Sequence, residues 1–192
     1  MIQITAQEVG KGNERKCYVH PEDETKAIKI SYEQKIGRSK QTRIETAYYK
    51  KLLKRKSMDW SHLPRFYGEV ETNYGKGFVV ELIRDFDGSV SKSLEYYLKE
   101  YGIEPFFSEL EAYRRYFLDN LIIFNYGMMP KNILRRRLSE TKAELVLIDG
   151  MGDVSHLQFH TKIPYFARQR IIRRWNKFWN KYLKPYMKSD EL

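Results

Sequence analysis

Long hydrophobic runs, paired cysteines and low-complexity segments are missing from this sequence of 192 residues. No uninterrupted apolar run reaches the roughly 18 residues that indicate a membrane-spanning helix, so we expect none. The single cysteine, Cys17, cannot form a disulfide within the chain, and a lone thiol suits the reducing cytoplasm. The start of the chain has no basic segment followed by an apolar one, so we expect no signal peptide.

Apolar and basic residues are plentiful. Hydrophobic residues make up 42% and aromatic residues 15%, enough for the core of one domain or of a domain with two small lobes. Lysine and arginine number 35 against 25 acidic residues, which gives a net charge of +10. This charge favours polyanionic partners, namely nucleotide phosphates, nucleic acid or an anionic membrane, without choosing among them. A solvated basic surface explains the charge equally well.

The first part of the chain predicts mostly strands with one helix. The helix follows from an apolar face that Ile44, Tyr48 and Leu52 share at helical spacing. The hairpin follows from two apolar runs around an NYGKG turn. The predicted elements are a strand at 26–30, a helix at about 40–55 and hairpin strands at 67–71 and 77–83.

From Ser89 onward the pattern becomes helical, with a short hairpin embedded. Ser108 and Glu111 fit a capping box, which predicts that a helix begins near Ser108. Apolar residues at helical spacing in that helix are Leu110, Tyr113, Phe117 and Leu121. The predicted elements are helices at 91–100, 108–120 and 164–183 and strands at 133–138 and 143–148. Strands first and helices later indicate an α+β fold.

The sequence GKGNER begins with two glycines of a phosphate-binding loop, Gly10 and Gly12, and has Arg15 where a third glycine would stand. Glycines in such a loop let backbone N–H groups approach phosphates, and Arg15 could neutralise phosphate charge. A plain hairpin turn is the competing interpretation.

The sequence KAIK ends at Lys29 and is close to the V-A-I-K pattern, whose lysine binds the α- and β-phosphates of ATP in protein kinases. Glu45 on the following predicted helix is the candidate partner that would orient Lys29. A surface lysine on an edge strand and a solvated glutamate are the alternatives.

The apolar run FVVELI could be the last strand before a kinase hinge, where adenine would bind the backbone from Glu81 to Ile83. Any buried strand would have the same composition. The following DFDG at residues 85–88 resembles the metal-binding D-F-G motif but comes before Asn132, whereas the kinase motif comes after that asparagine. We therefore interpret DFDG as a turn.

Candidate magnesium ligands flank the second predicted hairpin. Asn132, in PKNIL, precedes the hairpin, and Asp149, in LIDG, follows it. This order matches the two Mg²⁺ ligands of a kinase, and one amide oxygen with one carboxylate suffices because phosphates and water complete the octahedron. Asp153 is a further candidate carboxylate. An Asp-Gly hairpin turn is the structural alternative for Asp149.

These motifs together resemble one known family, the PhoP regulatory network protein YrbL family of the protein-kinase-like superfamily. The resemblance spans nearly the whole chain and rests on GKGNERKCY, DWS, PRFYG, DFDG and PKNIL. It implies a bilobal kinase-like fold and a Gram-negative, cytoplasmic setting, but it implies no particular reaction. We expect a minimal bilobal α+β fold, with a β-rich N-lobe at 1–84 and a short, mostly helical C-lobe with an embedded β-hairpin at 85–192.

The catalytic loop lacks the base of a kinase. Alignment on Asn132 places Gly127 where the kinase aspartate stands. A lost general base costs about 10²–10⁴-fold, so residual activity remains physically possible. Asp119 is the candidate substitute and Lys131 the candidate stabiliser of γ-phosphate charge, although Asp119 could instead close a helix. The short segment after Gly150 contains no A-P-E motif, which favours a small-molecule, sugar or lipid substrate over a peptide.

The basic tail predicts an amphipathic helix beginning at Pro164. Packing against the rest of the C-lobe is the favoured role, an anionic membrane comes next, and nucleic acid is less favoured. His156 and His160 lack the third ligand that a zinc site requires. The expected apolar face comprises Ile171, Ile172, Trp175, Phe178, Trp179 and Tyr182, and the expected basic face comprises Arg170, Arg173, Arg174, Lys177 and Lys181.

The sequence thus predicts a protein that binds ATP and Mg²⁺ and acts as an atypical kinase or as a regulatory pseudokinase. The alternative is a non-enzymatic adaptor that binds a protein or an anionic membrane through its basic helix.

Overall fold

The computed structural model describes residues 1–5, 8–12, 15–31, 40–125, 127–152 and 163–187. The chain divides into two compact units, which we call the N-unit (Met1–Trp60 with Pro64–Arg84) and the C-unit (Ser61–Leu63 with Asp85–Leu192). The secondary structure of the described residues is mixed α+β.

The N-unit contains a five-stranded antiparallel sheet and one helix. The strand order is β1-β2-β3-β5-β4. The elements are β1 (Glu8–Lys11), β2 (Arg15–His20), β3 (Asp23–Ser31), α1 (Lys40–Leu53), β4 (Phe66–Thr72) and β5 (Gly75–Glu81).

The predicted hairpin of β4 and β5 is confirmed, but its turn is shorter than predicted. Thr72 pairs with Gly75, so only Asn73 and Tyr74 form the turn. Gly75 has a φ of 105°, a conformation that glycine adopts without steric cost. The hydroxyl of Thr72 donates to the carbonyl of Gly75 and accepts from the amide of Tyr74, which closes the turn.

Alternation along the strands gives the sheet two different faces. Ile28 and Val79 are partners on one face and belong to an apolar cluster with Ile4. Lys29 and Phe78 are partners on the other face, where α1 packs. The sheet register therefore points Lys29 towards α1.

The C-unit contains a two-stranded sheet among helices. Residue Ser93 caps α2 by accepting a hydrogen bond from the amide of Tyr96. The elements are α2 (Leu94–Tyr101), α3 (Phe107–Asp119), β6 (Ile133–Arg137), β7 (Ala143–Leu147) and α4 (Pro164–Phe178).

The predicted capping box at Ser108 is wrong. A 3₁₀ turn (Glu104–Phe106) leads directly into α3, so Ser108 lies inside the helix, and no side chain caps its N-terminus. Pro105 explains the earlier start, because its fixed φ favours the first turn of a helix. The predicted apolar face of α3 holds at Leu110, Tyr113 and Phe117, which are buried. It fails at Leu121, which lies beyond the helix with a φ of 48°.

The tail helix α4 packs within the C-unit, and its two faces differ from the prediction. Ile171, Trp175 and Phe178 are buried as expected. Arg170 and Arg174, expected on the solvated basic face, are also buried. The sequence analysis assigned both arginines to the polar face because they are charged. An arginine can nevertheless be buried when its guanidinium group has partners. Within the described ranges, no helix has both the length and the apolar content needed to cross a membrane.

Candidate functional sites

The N-unit carries a buried ion pair between Lys29 and Glu45. Lys29 lies on β3 and Glu45 on α1, and the distance from Lys29 Nζ to Glu45 Oε1 is 3.4 Å. Only 9% of Lys29 and 1% of Glu45 is exposed. Buried charges are costly unless they are paired, so each residue stabilises the position of the other. The kinase pattern suggested this pairing as one of two interpretations of Glu45, and the structure confirms the pair. The nucleotide-binding role of both residues stays a prediction.

Arg15 adds a second cation to this pair. Its NH1 lies 2.7 Å from Glu45 Oε2, and its guanidinium carbon lies 5.6 Å from the centre of the Phe78 ring. Two buried cations, Arg15 and Lys29, therefore contact one carboxylate. The sequence suggested Arg15 as a phosphate ligand but did not show its contact with Glu45.

The glycine-rich segment is described only in part. The amide of Gly12 donates to the carbonyl of Arg15 at 2.8 Å, which closes the base of the loop between β1 and β2. A Cβ on Gly10 would meet Cys17 at an ordinary 3.8 Å, so space within the N-unit does not demand a glycine there. Residues 13–14 lie outside the described residues, and a phosphate-binding role for this segment stays a prediction.

Cys17 lies on the same face of the sheet as Lys29. The sequence analysis did not identify this position. The Cα of Cys17 is directly opposite that of Lys29 in the register of β2 and β3. Burial raises the pKa of the Cys17 thiol, and the charges of Lys29 and Arg15 oppose that rise without reversing it. Its position two residues after Arg15 could have predicted that both residues share a face, since alternate residues of a strand lie on the same side.

The predicted adenine-binding backbone is at the end of β5. The Glu81 amide donates to the Arg65 carbonyl at 2.9 Å, and the Leu82 amide donates to the Thr25 carbonyl at 2.8 Å. Ile83 is buried. The amides of Glu81 and Leu82 are therefore engaged within the N-unit, and an adenine contact at Glu81 or Ile83 stays a prediction.

The DFDG segment forms a turn, as predicted, and binds Arg137 at the end of β6. The Gly88 amide donates to the Asp85 carbonyl at 2.9 Å. The Asp85 carboxylate accepts hydrogen bonds from the Ser91 hydroxyl at 2.5 Å and from Arg137 Nε at 2.6 Å. Burial alone would raise the pKa of Asp85, but these hydrogen bonds outweigh burial and lower it. Hydrogen bonds from Ser89 and Arg137 lower the pKa of Asp87 to about 2.

The candidate magnesium site is built on a short antiparallel ribbon in the C-unit. Phe124 is opposite Met151 in an isolated bridge. Hydrogen bonds flank the bridge, from the Asn125 amide to the Gly150 carbonyl at 2.7 Å and from the Gly152 amide to the Ile123 carbonyl at 3.0 Å. The ribbon joins the segment before Asn132 to the segment after Asp149.

Gly127 and Gly150 touch each other through their backbones. A Cβ on Gly127 would lie 2.8 Å from Gly150 Cα, and a Cβ on Gly150 would lie 2.6 Å from the Gly127 carbonyl carbon. Gly150 also has a φ of 92°. Residues with side chains do not fit at this contact, so the kinase aspartate has no room at position 127.

Asn132 and Asp149 are held on adjacent segments. Asn132 Nδ2 donates to the Gly127 carbonyl at 2.7 Å, which directs the amide oxygen to the opposite side of the planar amide group. The Ile148 amide donates to the Asn132 carbonyl at 2.9 Å, and Asp149 follows directly. The Gly150 amide donates to Asp149 Oδ1 at 2.6 Å. Amide and carboxylate oxygens are ligands that Mg²⁺ prefers.

The described part of the chain contains no group of three or more His, Cys, Asp and Glu residues arranged to hold a metal ion. A magnesium site at Asn132 and Asp149 stays a prediction. Asp153, His156 and His160 lie outside the described residues.

The two candidate catalytic residues are exposed in the C-unit. Lys131 lies in a 3₁₀ turn (Pro130–Asn132) directly before β6. Asp119 is the last residue of α3, and its neighbour Asn120 caps the helix by donating from Nδ2 to the Tyr116 carbonyl at 3.0 Å. The sequence analysis considered Asp119 for closing this helix end, and Asn120 performs that role instead. The catalytic roles of Lys131 and Asp119 stay predictions.

Comparison with known proteins identifies relatives along nearly the whole chain. The family model described as PhoP regulatory network protein YrbL matches residues 2–183. The protein named "Uncharacterized protein YrbL" of Escherichia coli (strain K12) is 36% identical over 183 residues, which cover 93% of this chain and 86% of the relative. The protein of the same name in Shigella flexneri has the same identity and coverage.

Proposed function

Since the chain belongs to the PhoP regulatory network protein YrbL family, we propose that it is a nucleotide-binding member with a kinase-like fold, acting as an atypical kinase or a pseudokinase. The observation that carries the proposal is the buried pair of Lys29 and Glu45. A lysine held by a buried glutamate on a neighbouring helix is the arrangement that binds ATP phosphates in protein kinases. The setting we propose is the cytoplasm, which rests on the single thiol.

In the N-unit, Lys29 would bind phosphate oxygens, Glu45 would orient Lys29, and Arg15 would be a second phosphate-binding cation. In the C-unit, Asn132 and Asp149 would supply the two protein oxygens for Mg²⁺. Magnesium would neutralise phosphate charge when bound.

Phosphoryl transfer by this chain would be slow or absent. The contact between Gly127 and Gly150 removes the position of the usual base, and such a loss typically costs about 10²–10⁴-fold. Lys131 would stabilise γ-phosphate charge, and Asp119 is the candidate substitute base. The proposed acceptor is a small molecule, a sugar or a lipid headgroup.

Calorimetric titration of ATP, with Mg²⁺ and with EDTA, tests the proposal. We expect Lys29→Met to weaken ATP binding in both buffers, because it removes a phosphate ligand. We expect Asp149→Asn to weaken binding only when Mg²⁺ is present. Lys76→Met and Glu140→Gln replace exposed residues of the N-unit and the C-unit and serve as matched controls. Wild-type protein that binds no ATP at millimolar concentration would refute the proposal.

A second candidate function, binding to an anionic surface, is favoured by the exposed basic side chains of α4. Arg173 and Lys177 are exposed, whereas Ile171, Trp175 and Phe178 are buried. An interaction through Arg173 and Lys177 would be electrostatic and would weaken with salt. Co-sedimentation with phosphatidylserine vesicles should show binding that the double variant Arg173→Glu, Lys177→Glu loses. Equal sedimentation of both proteins would exclude this function.

A further inference from the structure

We propose that Arg174, on the tail helix α4, is a positioning residue for the candidate magnesium site. The inference rests on the proposed function, because it concerns the Mg²⁺ that Asn132 and Asp149 would bind. It assigns to the basic tail a role within the C-unit in place of a role at the surface.

The geometry of the ribbon creates a need for a donor at Phe124. The two hydrogen bonds of the ribbon come from residues that flank the Phe124–Met151 pair. In such a pair, the backbone N–H and C=O of each paired residue point away from the partner strand. The Phe124 carbonyl therefore points out of the ribbon, and with 1% of the residue exposed, water has little access to it.

Arg174 supplies that donor. Its NH1 donates to the carbonyl oxygen of Phe124, and only 8% of the residue is exposed. A buried carbonyl without a donor destabilises the folded state, and a hydrogen bond from a charged group is stronger than one from a neutral group. Arg174 therefore holds the Phe124 side of the ribbon against α4.

A chain of hydrogen bonds leads from Phe124 to the candidate metal ligand Asn132. The next residue, Asn125, accepts from the Gly127 amide through Oδ1 at 2.7 Å and donates from Nδ2 to the Met151 carbonyl at 3.1 Å. The Gly127 carbonyl in turn accepts from Asn132 Nδ2. A shift of Phe124 would therefore move the group that orients the Asn132 amide oxygen.

The neighbouring Arg173 provides a matched control. It carries the same charge on the same helix, but its side chain is exposed. A general effect of positive charge on nucleotide affinity would appear in variants of both arginines. A positioning effect would appear only at Arg174.

The experiment measures the dissociation constant of ATP in Mg²⁺ and in EDTA for wild-type, Arg174→Met, Arg174→Lys and Arg173→Met proteins of full length. The dissociation constant in EDTA divided by the dissociation constant in Mg²⁺ gives a ratio that isolates the contribution of the metal from that of the phosphates. Temperatures well below each measured melting point keep every variant folded. Amide hydrogen exchange at Gly127 and Gly152 is followed in the same samples without ligand.

We expect Arg174→Met to reduce the Mg²⁺-dependent ratio by about tenfold, the lower end of the loss seen for outer-shell partners of metal sites. We expect Arg174→Lys, which retains a charged donor, to recover part of the ratio, and Arg173→Met to leave it unchanged. Exchange at Gly127 and Gly152 should accelerate in Arg174→Met but not in Arg173→Met.

Three outcomes would overturn the inference, and they are distinguishable from one another. A wild-type protein with Mg²⁺-dependent ATP binding and an unchanged ratio in both Arg174→Met and Arg174→Lys would overturn the inference alone. A wild-type protein that binds no ATP would overturn the proposed function and this role of Arg174 together. If Arg174→Met does not fold, Arg174→Lys against Arg173→Lys gives the same comparison, and equal ratios and exchange in those two variants would overturn the inference.

Discussion

Gly127 and Gly150 are in direct backbone contact, so that a Cβ on Gly127 would lie 2.8 Å from Gly150 Cα. An aspartate at position 127, which the proposed alignment with protein kinases would expect, has no space at this contact. Gly127 is therefore part of how the ribbon closes. Adding a carboxylate by substitution would open that contact.

The first prediction concerns this contact. Gly127→Ala should lower the free energy of unfolding of the C-unit by about 2–4 kcal/mol, because overpacking against backbone cannot be relieved by a rotamer change. Gly127→Asp should lower it further and should not raise phosphoryl transfer. Urea unfolding followed by the fluorescence of Trp175 and Trp179, which lie in the C-unit, measures the change.

Gly10→Ala is the control for the first prediction. The added Cβ would meet Cys17 at 3.8 Å, an ordinary contact, so its effect should stay within about 1 kcal/mol. Equal stability of Gly127→Ala and the wild type would show that the ribbon tolerates a side chain at position 127.

The second prediction concerns the shared carboxylate of Glu45. Glu45→Gln leaves the buried cations of Arg15 and Lys29 without their common counter-charge, and it should cost about 3–5 kcal/mol of stability. Lys29→Met leaves Arg15 paired with Glu45, so it should cost only about 1 kcal/mol. Unfolding followed by the fluorescence of Trp60, which stacks on Tyr49, measures both. The reverse order of the two effects would contradict the account of the cluster.

The third prediction concerns the pH dependence that Asp85 confers. The folded state lowers the pKa of Asp85, so its stabilising effect is full above the unfolded pKa of about 3.9 and is lost as pH falls through the lower folded pKa. Asp85→Asn should cost about 2–4 kcal/mol at pH 7. The difference between the two proteins should shrink below about pH 4. A difference that stays constant from pH 7 to pH 3 would contradict this prediction.

The fourth prediction separates packing from surface roles of α4. Ile171 is buried, so Ile171→Ala should cost about 2–5 kcal/mol of stability. Arg173→Glu changes an exposed residue and should stay within about 0.5 kcal/mol. Thermal or urea unfolding compares the two variants. A negligible effect of Ile171→Ala would mean that the apolar face of α4 does not contribute to the core.

The fifth prediction concerns the reactivity of Cys17. Burial raises the pKa of its thiol, so less thiolate is present at pH 8 than in an exposed cysteine, and alkylation should be slow. We expect iodoacetamide to react about tenfold more slowly with the native protein than with the protein unfolded in urea. Mass spectrometry follows the single modification, and equal rates would show that Cys17 is accessible in the folded chain.

Local sequence patterns predicted the secondary structure well where period and turn chemistry agreed. The hairpins of β4 with β5 and of β6 with β7 and the helices α1 and α4 all form near the expected residues. The errors lie at boundaries, such as the start of α3, where Pro105 initiates the helix before the expected capping serine. Boundaries depend on competition between neighbouring signals, which a single motif does not resolve.

The sequence by itself determined which residues could be brought together. It placed Lys29 on a strand and Glu45 on the next helix, and it placed Asn132 and Asp149 at the two ends of one hairpin. Only the tertiary structure decided that Arg15 joins Glu45, that Gly127 touches Gly150, and that Arg174 turns inward to Phe124. These contacts depend on side-chain direction and on the distance between segments far apart in the chain. Periodicity fixes the face on which a residue lies, whereas packing fixes the atom that it meets.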